Sequence, residues 1–196
     1  MIVRQAKIVR QSKETKIDMS MDLDGAGKFE GNTGIGFFDH MLCLFAKHGL
    51  LDLSVKVEGD LLVDSHHTIE DVGIVLGGVI KEAMKGKEGV KRYGTSFVPM
   101  DETLATVSLD LSGRPYLIFE GNFTTDRLGS FDTEMVEEFF RAVAVNSGIT
   151  LHARVLYGKN NHHMVEALFK AFGSALSKAL TYDKRIKGVN STKGCL

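Results

Sequence analysis

The sequence predicts an α+β fold of two similar units in tandem, each a small mixed sheet packed against helices. Three internal matches predict it. ETKIDMSMDLDG (Glu14–Gly25) aligns with ETLATVSLDLSG (Glu102–Gly113) at an offset of 88 residues, with identities at Glu14/Glu102, Thr15/Thr103, Asp22/Asp110, Leu23/Leu111 and Gly25/Gly113. HHTIEDVGIVLGG (His66–Gly78) aligns with HHMVEALFKAFGS (His162–Ser174) at an offset of 96, keeping both histidines, the glutamate and the glycine pair Gly77/Gly173. Between them, Phe38, Met41, Leu42 and Phe45 return as Val136, Phe139, Phe140 and Val143 at an offset of 98. Small drifts of this kind are what loop insertions do to an internal duplication.

Each unit is expected to run through the same elements. A strand alternates at Thr15, Ile17, Met19, Met21 and again at Thr103, Ala105, Val107, Leu109, the period of two that buries one face of a sheet. Asp24-Gly25 and Ser112-Gly113 then mark turns toward a further strand. The apolar series at Phe38 and at Val136 has helical spacing and predicts an amphipathic helix. A second alternating strand follows at Leu51, Leu53, Val55, Val57 and at Leu151, Ala153, Val155, Tyr157. The HHxxE helix closes each unit, with apolar faces Ile69, Val72, Leu76, Ile80 and Val165, Leu168, Phe172, Leu176. Lys85-Gly86-Lys87-Glu88-Gly89 is the natural seam. The expected division is residues 1–87, 88–180 and a basic, glycine-containing tail at 181–196, the two units related by a pseudo-twofold axis.

The bulk numbers narrow the function. With 196 residues, 43% apolar and 25% charged, the chain has the composition of an ordinary globular protein large enough for a real core. No run approaches the length of a membrane span, and the amino terminus MIVRQAKIVR has no apolar core or cleavage site of a secretory signal. Cys43 and Cys195 are far apart and form no CxxC pair, which fits a reducing cytoplasm and argues against a disulfide scaffold or zinc ribbon. A net charge of −1 demands no basic face, so nucleic acid is a poor partner. Lys184, Arg185, Lys187 and Lys193 in the tail read either as a solvated end or as an anion-binding arm. No dinucleotide fingerprint, P-loop or GxSxG elbow is present.

The duplicated HHxxE carries the chemistry. Successive helical residues lie about 100° apart, so His66 and Glu70 share a face while His67 points elsewhere, near Glu70 at three residues' spacing. The same holds for His162, His163 and Glu166. Neighbouring imidazoles of this kind should serve different ions. His40 lies off the apolar stripe of its helix and is a further ligand candidate; its repeat counterpart is Glu138. Histidine and carboxylate without thiolate suit Mn²⁺, Fe²⁺ or Zn²⁺, with a mixed six-coordinate shell favouring Mn²⁺. Asp39 and Asp71 are candidates for holding ring N–H groups. His48 and His152 are weaker candidates.

GIGFFDHML, DSHHTIEDVGIVLG, PMDETLATVSLDLSGRP, LHARVLYGKNNHHMVEALFKAF and the STKG tail together resemble the imidazoleglycerol-phosphate dehydratase family of histidine biosynthesis, through nearly the whole chain. The resemblance implies a tandem fold of the ribosomal-protein-S5 domain-2 type. It implies two Mn²⁺ per active site, and a hollow homo-oligomer of 24 subunits with active sites between subunits. Carried over by position, the metal ligands are His40, His66, His67, Glu70, His162, His163 and Glu166. An eighth, commonly histidine in relatives, falls at Glu138 in VEEFF. The substrate phosphate would meet Arg92, Arg114, Lys170, Ser191 and Lys193. Glu14 matches a catalytic glutamate of the family that also touches substrate, and His48 is placed to orient a substrate hydroxyl.

The expected reaction converts imidazole-glycerol phosphate to imidazole-acetol phosphate and water. The hydrogen to be removed is not acidified by a carbonyl. Metals on the ring nitrogens would ease loss of the N–H proton, and the resulting imidazolate would expel the adjacent hydroxyl through a diazafulvene-like intermediate. Two rivals use the same ligands: a dinuclear metallohydrolase, and a structural cage in which ions join subunits.

Overall fold

The computed structural model describes residues 3–194, so Cys195 lies outside the described residues. The first repeat contains β1 (Gln5–Gln11), β2 (Thr15–Asp22), β3 (Phe29–Asn32), α1 (Gly36–Gly49), β4 (Asp52–Gly59) and α2 (His66–Ala83). The second contains β5 (Tyr93–Met100), β6 (Thr103–Asp110), β7 (Tyr116–Glu120), α3 (Met135–Ser147), β10 (Thr150–Tyr157) and α4 (Asn161–Leu180), plus an extra hairpin of β8 (Arg127–Leu128) and β9 (Phe131–Asp132). The sheets share one topology. Their orders are β1-β2-β4-β3 and β5-β6-β10-β7, antiparallel except for the parallel pairs β3/β4 and β7/β10. A parallel neighbour needs a crossover; α1 and α3 supply it.

The predicted alternations face inward over most of their length, but Val57 and Val155 are only half-buried and Tyr157 is exposed, past the bulge where β10 loses its register with β6. Ile17, Met19, Met21, Leu53 and Val55 are buried in the first sheet, and Ala105, Val107, Leu109, Leu151 and Ala153 in the second. Helix α2 lies on β1 and β2 and runs along α3, while α4 lies on β5 and β6 and runs along α1. The helices therefore fill the space between the sheets, and each HHxxE helix packs on a helix of the other repeat. One continuous apolar core results. Phe45 of α1 stacks on Phe172 of α4 at 4.8 Å, and Phe38 meets Phe139 edge-on at 5.3 Å. The repeated glycine pair has its reason here. A Cβ on Gly77 would sit 2.7 Å from the Val143 carbonyl, and one on Gly173 would sit 2.3 Å from the Phe45 carbonyl, so only glycine lets these helices approach.

Three elements are not marked by clean apolar alternation. Strands β1 and β5 are sheet edges, where one side of the ladder is unpaired and Pro99 is tolerated. The inner face of β5 includes Gly94 and Ser96, because α4 leaves no room: a Cβ at Gly94 would lie 1.9 Å from the Ala175 carbonyl. The β8–β9 hairpin reaches out of its own repeat. Its Phe131 is buried against Phe37 and Phe38 of α1, and Asp132 accepts from Ser65, the residue before α2, at 2.9 Å.

The tail folds back on the seam. Glu88 bridges Val189 and Val90 bridges Tyr182. No helix of the described residues is long and apolar enough to cross a membrane.

Candidate metal centre

Both HHxxE helices start in the same way. The His66 amide donates to Asp64 at 2.8 Å, and the His162 amide donates to Asn160 at 2.9 Å. These short side chains satisfy amides that a helix's first turn leaves unpaired, and so fix where the histidine pairs emerge. Each pair is splayed: ring centroids are 6.2 Å apart in both, with interplanar angles of 77° and 84°. Adjacent rings so arranged face different partners.

The second repeat assembles a cluster. His162 Nε2 lies 3.1 Å from Glu166 Oε2, one helical turn on, and His40 Nε2 of α1 lies 3.5 Å from the same oxygen. The three ligand atoms are all within 4.8 Å of one another. Two donors bound to one ion at about 2.1 Å each are at most about 4.2 Å apart, so a small contraction would bring all three onto a cation. Phe37 packs edge-on against the His162 ring at 5.1 Å. Glu166 is almost fully buried; burial pushes its carboxyl up, but the hydrogen bond and charge of Lys170, with His162 and His40, bring it net below the ordinary range. Lys170 Nζ sits 2.6 Å from Glu166 Oε1. An anionic carboxylate beside two imidazoles is a fitting donor set for a borderline divalent ion.

The equivalent place in the first repeat is organised differently. His66 Nε2 is 3.5 Å from Glu70 Oε2, reproducing the His162–Glu166 pair. Glu138 on α3, the positional counterpart of His40, instead turns to Arg141 Nε at 3.3 Å. Among the described residues the His40, His162, Glu166 trio is the one such cluster.

The other histidine of each pair is held by a carboxylate. His67 Nδ1 lies 3.0 Å from Asp60 Oδ2, and its Nε2 is 3.8 Å from Glu14 Oε1. His163 Nδ1 lies 2.8 Å from Glu102 Oε2. The Asp60 hydrogen bond raises the His67 imidazole above its usual pKa, and the Glu102 hydrogen bond does the same for His163. Glu102 itself is driven far below the carboxylate range, first by the Asn160 amide and then by His163. Asp39 and Asp71, expected to hold ring N–H groups, do other work. Asp39 accepts from the Thr33 amide and hydroxyl at the start of α1, and Asp71 binds Arg10 and Thr15 across to the first sheet. Sequence spacing does not expose Asp60, because its loop Asp60–Ser65 must fold first. Glu102 did carry a signal, being identical with Glu14 across the repeat.

The phosphate candidates divide. Arg92 and Ser191 line one hollow of about 530 Å³, walled by the tail. Arg92 is buried and forked onto Asp110 at 2.6 and 3.0 Å, donates to the Asn190 carbonyl at 2.9 Å, and lies over the Tyr93 ring. Arg114 is exposed, its Nη2 3.9 Å from the same Asp110. Lys193 is exposed in the tail, where its backbone amide donates to Ser191 Oγ at 3.2 Å. Lys170 is at the histidine cluster instead. His48 is exposed on α1; desolvation, and then the charge of Lys170, hold its imidazole below the ordinary value. His152 lies on the exposed side of β10. Sequence reading gave Asp110 no role, although it is identical with Asp22 across the repeat; it holds Arg92 by two hydrogen bonds and lies near Arg114.

Residues 33–176 match the profile of the imidazoleglycerol-phosphate dehydratase family. The chain is 64% identical to imidazoleglycerol-phosphate dehydratase of Clostridium acetobutylicum, covering 98% of each chain. It is 60% identical to that of Acetivibrio thermocellus, covering 98% of this chain and 99% of the relative. Among solved structures it is similar to imidazoleglycerol-phosphate dehydratase from Staphylococcus aureus, with TM-score 0.83 and 45% identity over 91% of this chain and 99% of that one. The Pyrococcus furiosus structure gives TM-score 0.83 and 36% identity over 96% and 100%. The chain belongs to this family of enzymes.

Proposed function

We propose that the chain is the dehydratase that converts imidazole-glycerol phosphate to imidazole-acetol phosphate and water in histidine biosynthesis, and that it works with two Mn²⁺ per active site. The observation that carries the metal reading is the convergence of His40, His162 and Glu166 from two helices belonging to different repeats. Bound Mn²⁺ would act as a Lewis acid on the substrate's imidazole nitrogens, easing loss of the ring N–H proton.

The chain's own residues supply the rest. His40, His162 and Glu166 hold one ion. His66, Glu70, His67 and His163 complete the donor set, with Glu138 able to join on leaving Arg141. His67 and His163 are splayed away from their neighbours, so they fit a site shared with a second copy. This favours a homo-oligomer, proposed as 24 subunits, in the cytoplasm. Glu14, beside His67 Nε2, takes the proton from the carbon next to the one losing hydroxide. The C–O bond nearest the ring breaks, hydroxide departs with a proton as water, and the enol left behind tautomerises to the ketone. Arg92, Arg114 and Ser191 bind the phosphate, with Lys193 closing from the tail and Lys170 reaching it from the metal side. Forked guanidinium groups suit a phosphate that must be held in one orientation. His48 orients a substrate hydroxyl.

The test is metal content, particle size and turnover of imidazole-glycerol phosphate before and after chelation. Stripped protein should lose turnover and regain it with Mn²⁺. Full turnover by metal-free protein would overturn the metal reading, and turnover of simple phosphate esters instead would favour the hydrolase.

A further inference from the structure

The duplication places a glutamate at the same position in both repeats, Glu14 before β2 and Glu102 before β6, yet the two have different surroundings. Among the described residues the Glu14 carboxylate accepts no hydrogen bond, and its nearest ring nitrogen, His67 Nε2, is 3.8 Å away. Glu102 is fully engaged. Its Oε1 accepts from the Lys159 amide at 3.1 Å, the Asn160 amide at 2.8 Å and the Thr103 hydroxyl at 3.1 Å, while Oε2 faces His163 Nδ1 at 2.8 Å. The corresponding contact to His67 Nδ1 comes from Asp60, which follows β4.

Resting on the metal site proposed above, we infer that Glu102 is the positioning residue for His163 and not a second proton carrier, with Asp60 the positioning residue for His67. An ionised carboxylate only accepts, so the ring proton of each histidine lies on Nδ1 and the Nε2 lone pair is left for a cation, with Asp101 Oδ2 3.9 Å from it at His163 and Glu14 Oε1 3.8 Å from it at His67. A carboxylate behind a ligating imidazole fixes its tautomer and rotation and raises its basicity. In the first repeat Asp60 does this, which leaves Glu14 free to reach substrate. In the second repeat the glutamate is consumed in orientation. The two repeats thus spend the same inherited residue in different ways.

Glu102→Gln separates these roles. The side-chain carbonyl can still accept from the Lys159 and Asn160 amides, so the local fold has its hydrogen bonds. The amide NH₂ facing Nδ1 then drives the ring proton to Nε2 and removes the lone pair a metal needs. Mn²⁺ titration by calorimetry on the full-length protein should show one class of site weakened about 10–100-fold and the other unchanged, in a variant whose far-ultraviolet circular dichroism matches that of the wild type. Asp60→Asn should weaken the site that uses His67 by a similar factor. Wild-type Mn²⁺ affinity in Glu102→Gln would overturn this inference alone, whereas no Mn²⁺ uptake by the wild-type protein would overturn it together with the metal reading. A readout that needs no variant is the ring-nitrogen chemical shifts of the metal-free wild type: an Nδ1–H tautomer at His163 supports the assignment and an Nε2–H tautomer overturns it.

Discussion

The two HHxxE helices hold the amide of their first histidine on a side chain two residues before it, carry the same His-His-Glu motif and rest on matching sheets, yet their surroundings treat that motif differently. At α4, the first histidine and the glutamate meet His40 from α1, and three donors converge. At α2, the first histidine and the glutamate also pair, but the residue in the place of His40 is Glu138, and it is turned to Arg141. The difference does not lie in the helix bearing the motif. It lies in the partner helix, which belongs to the other repeat. A duplicated motif inherits its own geometry, whereas the third donor depends on an independently varying neighbour.

The largest effect should come from the glutamates. Glu14→Gln is expected to lower kcat about 10²–10⁴-fold, the usual contribution of a positioned proton-transfer group, while Mn²⁺ binding stays at the wild-type level. Near-wild-type turnover would remove Glu14 from the mechanism. The next concerns the contact that joins the repeats. Phe172→Ala empties the stack with Phe45 and should cost about 3–5 kcal/mol, read as a lower midpoint in denaturant melts. A loss below about 1 kcal/mol would mean that the repeats do not depend on each other through this core. Glu138→His tests the comparison directly. An imidazole there has no ion pair to Arg141 to surrender, so Mn²⁺ affinity at the first-repeat site should rise about tenfold, the scale on which one well-placed partner acts; unchanged binding would show that α3 contributes no ligand.

The smallest effect is acid lability. The hydrogen bond from Arg4 holds Asp24 below its ordinary pKa, and Arg185 does the same for Asp183. A carboxylate depressed on folding contributes stability that is complete above its unfolded pKa of about 3.9 and is lost as pH falls through the lower folded value. Thermal midpoints should therefore fall as pH drops below about 4, and less steeply in Asp24→Asn. An identical slope in that variant would remove the Arg4 clamp as a cause.

Much of the fold was legible because it follows from periodicity. Strands β2, β4, β6 and β10 and all four helices carry apolar residues at the spacing burial requires, and each predicted helical stripe, such as Phe38, Met41, Leu42 and Phe45, is buried, whereas the β10 series ends on an exposed Tyr157. Edge strands β1 and β5 were not: β5 needs Gly94 and Ser96 on the face that α4 covers, and the half-buried face of β1 breaks its apolar rhythm with Arg10, which pairs with Asp71. The β8–β9 hairpin escaped for another reason. Its anchors, Phe131 on α1 and Asp132 on Ser65, lie in the other repeat, and local sequence holds no record of them.

The sequence alone determined the duplication, the class of fold, the splay of adjacent histidines and the residue types able to bind a divalent ion, because these depend on spacing along one helix or strand. Only the tertiary structure decided that His40 meets Glu166, that Glu138 meets Arg141, and that Asp60 and Glu102 stand behind the outer histidines. Those contacts join residues from separate elements, and which elements meet is settled by how two sheets close over a shared helical core.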